Sequence, residues 1–315
     1  MQSTILVPLD GSERAEAILP TTVAVAQATR SSLSLLQVVA SESTAGIRLA
    51  ADAQWADART PARVYLEGVA ARVRQSRVPV VVEVLAGHAA TRIVQAARQE
   101  PHISLIAMAT HGRDGLPRAV FGSIAAEVLR NVAVPVLLVR DGQPALPALT
   151  AGCTILVPLD GSAFARQALG VAQMLGRAFG GTLLLITAVP DREPAQPGAT
   201  PQAPSWRHEA QRRETARLTL ELEKTARQLE AGGTHVSIQV LQGKPGEALI
   251  TQAGSAGAAL IVMATHGRSG IDKMRWGSVA LEVLRRTPAP VVMLGPHQPT
   301  APTEYSWDPD YVMNA

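Results

Sequence analysis

"TILVPLDGS" stands at Thr4–Ser12 and again, letter for letter, at Thr154–Ser162. An apolar run closed by Asp-Gly-Ser reads as a buried strand. The chain then passes through a tight turn to a helix, with the serine as its N-cap. The repetition continues outward from this stretch. "MATHGR" occurs at Met108–Arg113 and Met263–Arg268, and "EVLR" at Glu127–Arg130 and Glu282–Arg285. The offset is 150 residues at the front and 155 at the back, so the second copy carries a few extra residues in its middle. A period of that size marks a duplicated domain rather than a solenoid, whose units run to roughly 20–50 residues.

Each copy alternates strands and helices. The first reads "TILVPL", a helix from Glu13 to about Thr29, "LSLLQVV", a long helical segment near Pro61–Arg74, and "VPVVVEVL". A helix over about Ala89–Arg98, "ISLIAMAT", a loop, the helix Ser123–Arg130 and "VPVLLV" complete it. The second copy repeats the order with "TILVPL", "TLLLITAV", "HVSIQVL", "ALIVMAT" and "PVVML", and with a heavily charged helix at about Trp206–Glu230. Alternation of this kind predicts an α/β fold: parallel sheets with right-handed crossovers and helices on both faces. Aromatics are only 3% of the chain, so the cores must be aliphatic, as suits buried parallel strands under alanine-rich helices. "DGQPALPALTAG", Asp141–Gly152, reads as a non-helical linker, and the proline-rich Pro190–Ser205 as a mobile loop. The expected organisation is a domain over 1–141, a linker over 142–151, a second domain over 152–295 and a tail over 296–315.

Several function classes fall away. Net charge is +3 with the lysines and arginines scattered, which argues against a nucleic-acid partner. No apolar stretch reaches the roughly 20 residues of a membrane span, and the N-terminus runs straight into a strand. A cytoplasmic protein without membrane partners is expected. Cys153 is the single cysteine, which excludes a disulfide framework and reads as a small residue at a strand start.

In an open parallel sheet, ligands bind beyond the C-terminal strand ends, where the winding reverses. Asp10 and Asp160 stand at the end of strand one. After strand four come "ATHGRDGLPRAVFGS" and "ATHGRSGIDKMRWGS". Each holds a glycine (Gly112 or Gly267), nine further residues, then Gly-Ser opening a helix (Gly122-Ser123 or Gly277-Ser278). Bare backbone donors at a helix N-terminus form an anion site, and Arg113, Arg118, Arg268, Lys273 and Arg275 add positive charge. No standard P-loop or dinucleotide fingerprint is present, and Pro245 in "QGKPGEAL" reads as a first-turn helix proline. His111 and His266 have no nucleophile or paired carboxylate at a fixed spacing, so a loop hydrogen-bonding role is expected of them. The remaining histidines are not grouped as a metal site, and no metal ligands are assigned.

These motifs, "VPLDGS", "MATHG", the nine-residue spacer, "GS" and the closing "VPVLLV" or "APVVML", resemble those of the universal stress protein family in tandem form. The resemblance covers about Met1–Arg140 and Gly152–Gly295. It implies a five-stranded parallel sheet in each copy, ordered 3-2-1-4-5. It also implies binding of ATP or a related adenine nucleotide, with or without Mg, since one branch of the family binds ATP. Carried over residue by residue, Pro8 and Asp10 lie along the adenosine and Val38 meets adenine through its backbone. Gly112 and Arg113 face ribose and phosphates, and Gly122, Ser123 and Ile124 hold the phosphates. In the second copy these become Pro158, Asp160, Ala188, Gly267, Arg268, Gly277, Ser278 and Val279. The family pattern opens with a glycine where this chain has Ala109 and Ala264. A methyl group there either crowds the ribose or fits, if the backbone angles are ordinary.

The resemblance implies stress response or signalling without dedicated catalysis. A slow ATPase or adenylate-forming relative, and a nucleotide-free interaction scaffold, stay open beside it. A shared catalytic acid is disfavoured because Asp114 and Asp272 stand at non-matching positions. The fifth strands of the two copies are expected to pair with each other, and a homodimer is also open.

Overall fold

The computed structural model describes residues 2–40, 48–110, 122–140, 149–190, 205–265 and 276–297, with side chains described outside 48–58 and 205–208. Most of the expected linker and tail, of the proline-rich loop and of the two spacers lies outside these residues. Two compact units emerge. The first holds the chain to Leu149 together with the segment from Pro290 on, and the second holds Thr150–Ala289.

In the first unit β1 (Thr4–Pro8) is central, with Ile5, Leu6 and Val7 essentially inaccessible to solvent. β2 (Ser32–Val39) flanks it on one side with Pro8 opposite Leu36, and β3 (Val80–Ala86) lies outside β2. β4 (Ile103–Ala109) flanks β1 on the other side, with β5 (Val136–Val139) beyond it. All these ladders are parallel. The winding therefore reverses between β1 and β4, which opens a crevice at their C-terminal ends. In the second unit β6 (Thr154–Pro158) lies between β7 (Thr182–Val189) and β9 (Leu260–Ala264), with β8 (His235–Gln242) outside β7. The last strand, β10 (Val291–Leu294), groups with the first unit and runs antiparallel to β5, pairing Val291 with Leu138 and Met293 with Val136. Gly295 follows it: a Cβ there would stand 2.2 Å from the Leu129 carbonyl oxygen, so the close approach requires glycine.

The helices differ from expectation in two places. The single helix foreseen over Glu13–Thr29 is two, α1 (Glu13–Glu16) and α2 (Leu19–Thr29). Ala17 N–H closes a tight turn onto the Arg14 carbonyl, and Pro20 can only sit in the first turn of a new helix. The second copy breaks at Gln167 alone, between α6 (Ala163–Arg166) and α7 (Ala168–Phe179), and has no proline there. The second difference is α3, which runs Arg48–Arg74 straight through Pro61 instead of starting near it. Ala62, Leu66, Val69, Ala70 and Val73 of α3 form one buried stripe. α8 (Ser205–Ala231) matches its expected span and buries Leu218, Leu222, Ala226 and Leu229 at the same periodicity. α4 (Ala89–Gln99), α5 (Ser123–Asn131), α9 (Pro245–Ser255) and α10 (Ser278–Arg286) complete the helices. No helix among the described residues is long and apolar enough to cross a membrane.

Candidate functional site

The turn after strand one is built the same way in both copies. Gly11 and Gly161 adopt φ of 84° and 83°, the left-handed region open to glycine. Asp10 Oδ1 accepts from Ser12 N–H at 3.0 Å and from Ser12 Oγ at 2.6 Å, and Asp160 Oδ1 accepts from Ser162 N–H at 3.0 Å. Each serine Oγ then accepts from the N–H three residues on, at 3.2 Å to Ala15 and 3.0 Å to Ala165, capping α1 and α6. The aspartates are therefore turn-forming residues, and that role holds their carboxylates at the mouth of the crevice.

At the far side, Gly122 and Gly277 are the N-caps of α5 and α10, with no side-chain capping bond. Their own N–H groups donate to the carbonyls of Thr110 (2.7 Å) and Thr265 (2.9 Å), so the glycines' own donors are engaged. The donors without an intrahelical acceptor belong to the next three residues: Ser123, Ile124 and Ala125, or Ser278, Val279 and Ala280. The φ values of −58° and −61° are ordinary for any residue, so the backbone at Gly122 and Gly277 does not itself demand glycine. Ala109 and Ala264 end β4 and β9, and the only described non-glycine residues with positive φ are Arg30 and Arg77. Alanine therefore fits the backbone where the family pattern has glycine. Gly112, Arg113, Gly267 and Arg268 lie outside the described residues, as do His111, His266 and the other spacer cations.

In the second unit these pieces enclose a cavity of about 570 Å³. Pro158, Asp160, Ala188, Ala264, Gly277, Ser278 and Val279 all line it, so every described second-copy residue singled out from the sequence meets there. Among the wall residues that escaped the sequence reading are Thr187, Gln211, Glu214 and Leu218. Thr187 Oγ1 donates to the Leu159 carbonyl at 2.7 Å. Glu214 is gripped by Arg217, whose Nη2 and Nε donate to its two oxygens at 2.7 and 3.1 Å. Nothing local in the sequence marks Gln211 or Glu214, because the rotational phase of α8 over the sheet sets their position. Thr265 also lines the wall and sits inside the repeated "MATHGR", a signal that was available.

The cavity is chemically two-sided. Backbone donors at the start of α10 suit an anion. The carboxylates of Asp160 and Glu214 accept hydrogen bonds from hydroxyls or amines. In the first unit Pro8, Asp10, Val38, Ala109, Gly122, Ser123 and Ile124 occupy the corresponding strand ends and helix start. Tyr65 of α3 is held there as a neutral phenol. Burial first, then the nearby carboxylates of Glu16 and Asp10, raise its pKa above the usual tyrosine range. Burial likewise pushes the Cys153 thiol up. Among the described residues no three His, Cys, Asp or Glu side chains converge as a metal site.

The family model described as "Universal stress protein family" matches residues 1–140 and 154–295. A universal stress protein of Mycobacterium tuberculosis is 28% identical over 189 residues, 60% of this chain and 61% of that one. The match thus spans about three fifths of that relative's length. A universal stress protein of Thermus aquaticus is 31% identical over 144 residues, 45% of this chain and 97% of its own. Among solved structures, a universal stress protein from Archaeoglobus fulgidus superposes with a TM-score of 0.71 at 22% identity, covering 94% of this chain and 99% of its own. One from Pseudomonas aeruginosa superposes with a TM-score of 0.61 at 20% identity, covering 94% of each chain. With the family model matched over both copies and the fold shared with solved members, the chain belongs to the universal stress protein family and carries the family's domain twice.

Proposed function

We propose that the chain binds ATP or a related adenine nucleotide at the C-terminal ends of its strands and acts in stress response or signalling rather than in dedicated catalysis. The observation that carries this reading is the cavity of about 570 Å³ in the second unit, with Asp160 on one wall and the start of α10 on another. Its volume falls in the range of roughly 300–1,000 Å³ found for small-molecule sites. A nucleotide has what the walls ask for: an anion at one end, and hydroxyl and amino donors at the other. Mg would arrive with the phosphates, and Asp160 and Glu214 are the cavity carboxylates able to meet it or its waters.

We further propose residues 1–141 and 152–295 as the two nucleotide-binding domains, joined by a linker over 142–151 and followed by a tail over 296–315. In the same proposal, the fifth strands of the copies pair in the working protein, which the register of β5 against β10 supports. The protein works in the cytoplasm. The test of nucleotide binding is to denature the purified chain and chromatograph what it releases. An adenine nucleotide in the released fraction is the expected result. A chain that releases none, and takes none up when incubated with ATP, ADP or AMP, contradicts the reading.

A further inference from the structure

Gln37 and Thr187 hold the same place in the repeat but finish it differently. Leu9 N–H donates to the Leu36 carbonyl at 2.8 Å, and Leu159 N–H to the Ile186 carbonyl at 2.7 Å. In each copy the next residue along strand two therefore lies beside the end of strand one: Gln37 in the first, Thr187 in the second. Thr187 lines the second unit's cavity at 6% exposure, and its hydroxyl is already engaged by the Leu159 carbonyl. That wall is satisfied from within. Gln37 is 8% exposed, and its Oε1 is buried with no hydrogen-bond partner.

A buried amide oxygen of this kind disfavours the unliganded state until a donor reaches it. A neutral amino group is such a donor. We infer that Gln37 is a specificity residue of the first copy's nucleotide site, its Oε1 accepting a hydrogen bond from an amino group on the edge of the base. The second copy, with Thr187 closed on its own backbone, lacks this preference. The two sites of one chain then differ in which purines they accept, although their phosphate ends match. This inference rests on the nucleotide reading above, in which Val38, the next residue of β2, lies at the base.

Calorimetric titration of the full, nucleotide-stripped chain with ATP and with purine riboside 5′-triphosphate, which lacks only the 6-amino group, tests it. In the parent, one class of site is expected to bind the analogue about 5- to 150-fold more weakly than ATP, the fold-change of one unmade buried hydrogen bond. Gln37→Met, which keeps the length of the side chain and removes the amide, is expected to bring that ratio close to one. Gln37→Leu serves for the same measurement if the methionine variant does not fold. A parent that binds both ligands alike overturns the inference and leaves the nucleotide reading standing, as does a folded Gln37→Met that keeps the discrimination. A parent that binds neither ligand overturns the nucleotide reading, and the inference with it.

Discussion

At the scale of single residues, the Asp-Gly-Ser that closes the repeated nonapeptide does three separate jobs. Asp160 braces the turn and borders the cavity, Gly161 supplies a backbone angle that other residues resist, and Ser162 caps the helix. The glycine requirement is conformational and not steric. A Cβ at Gly161 would meet nothing closer than Glu221 Oε2 at 3.9 Å, yet φ is +83°. Gly161→Ala is therefore expected to cost about 1–2 kcal/mol of stability through backbone strain alone. Denaturant unfolding of parent and variant measures it. A loss well below that range would show that this turn relaxes to accommodate a side chain. Gly277 presents the opposite case, since its φ of −61° suits any residue. What a side chain would change there is the space in front of the helix, not the fold.

At the scale of elements, α8 looks like a charged surface helix from its sequence, yet its attachment depends on Leu218, Leu222, Ala226 and Leu229. Arg217 bridges Glu214, at the cavity wall, and Glu221, in pairs exposed enough for solvent to screen them. Leu222→Ala is expected to cost about 2–5 kcal/mol, the usual range for emptying a buried leucine site. Arg217→Ala should leave the thermal midpoint within error. If Arg217→Ala proved the more damaging of the two, the ion pairs and not the apolar stripe would be docking the helix. The elements also show where sequence reading reaches its limit. Strands were legible because "TILVP" is a continuous apolar run in both copies, which a sheet covered on both faces accommodates, and "SLSLLQVV" is apolar at most of its positions. The break at Ala17–Ile18 and the passage of α3 through Pro61 were not legible. Helical periodicity carries across a tight turn, and a proline reads equally as a helix start or as an interior residue. The strand-end and helix-start positions of the site could be seen in the repeated motifs. Gln211 and Glu214 could not, because they reach the cavity from a distant helix.

At the scale of the whole molecule, the duplication supplies two crevices with the same ends and different walls. Strand-one turns and helix N-caps are matched in both copies, while Gln37 stands opposite Thr187 in the repeat. A difference at Gln37 and Thr187 beside matched strand-one turns and helix N-caps is what two related but unequal sites would require. The central measurement is calorimetric titration of the nucleotide-stripped chain with ATP, run beside two double variants whose folding is checked by circular dichroism. The parent is expected to take up about one adenine nucleotide per competent copy. Ser123→Ala with Ser278→Ala is expected to weaken binding by about 10- to 150-fold, the worth of one charge-assisted hydrogen bond of roughly 1.5–3 kcal/mol. Gly122→Val with Gly277→Val is expected to remain folded and weaken it further, by filling the space that phosphate must enter. A parent that gives no heat with ATP, ADP or AMP, or a folded valine variant that binds ATP as tightly as the parent, would contradict the assignment of these helix starts to nucleotide phosphate.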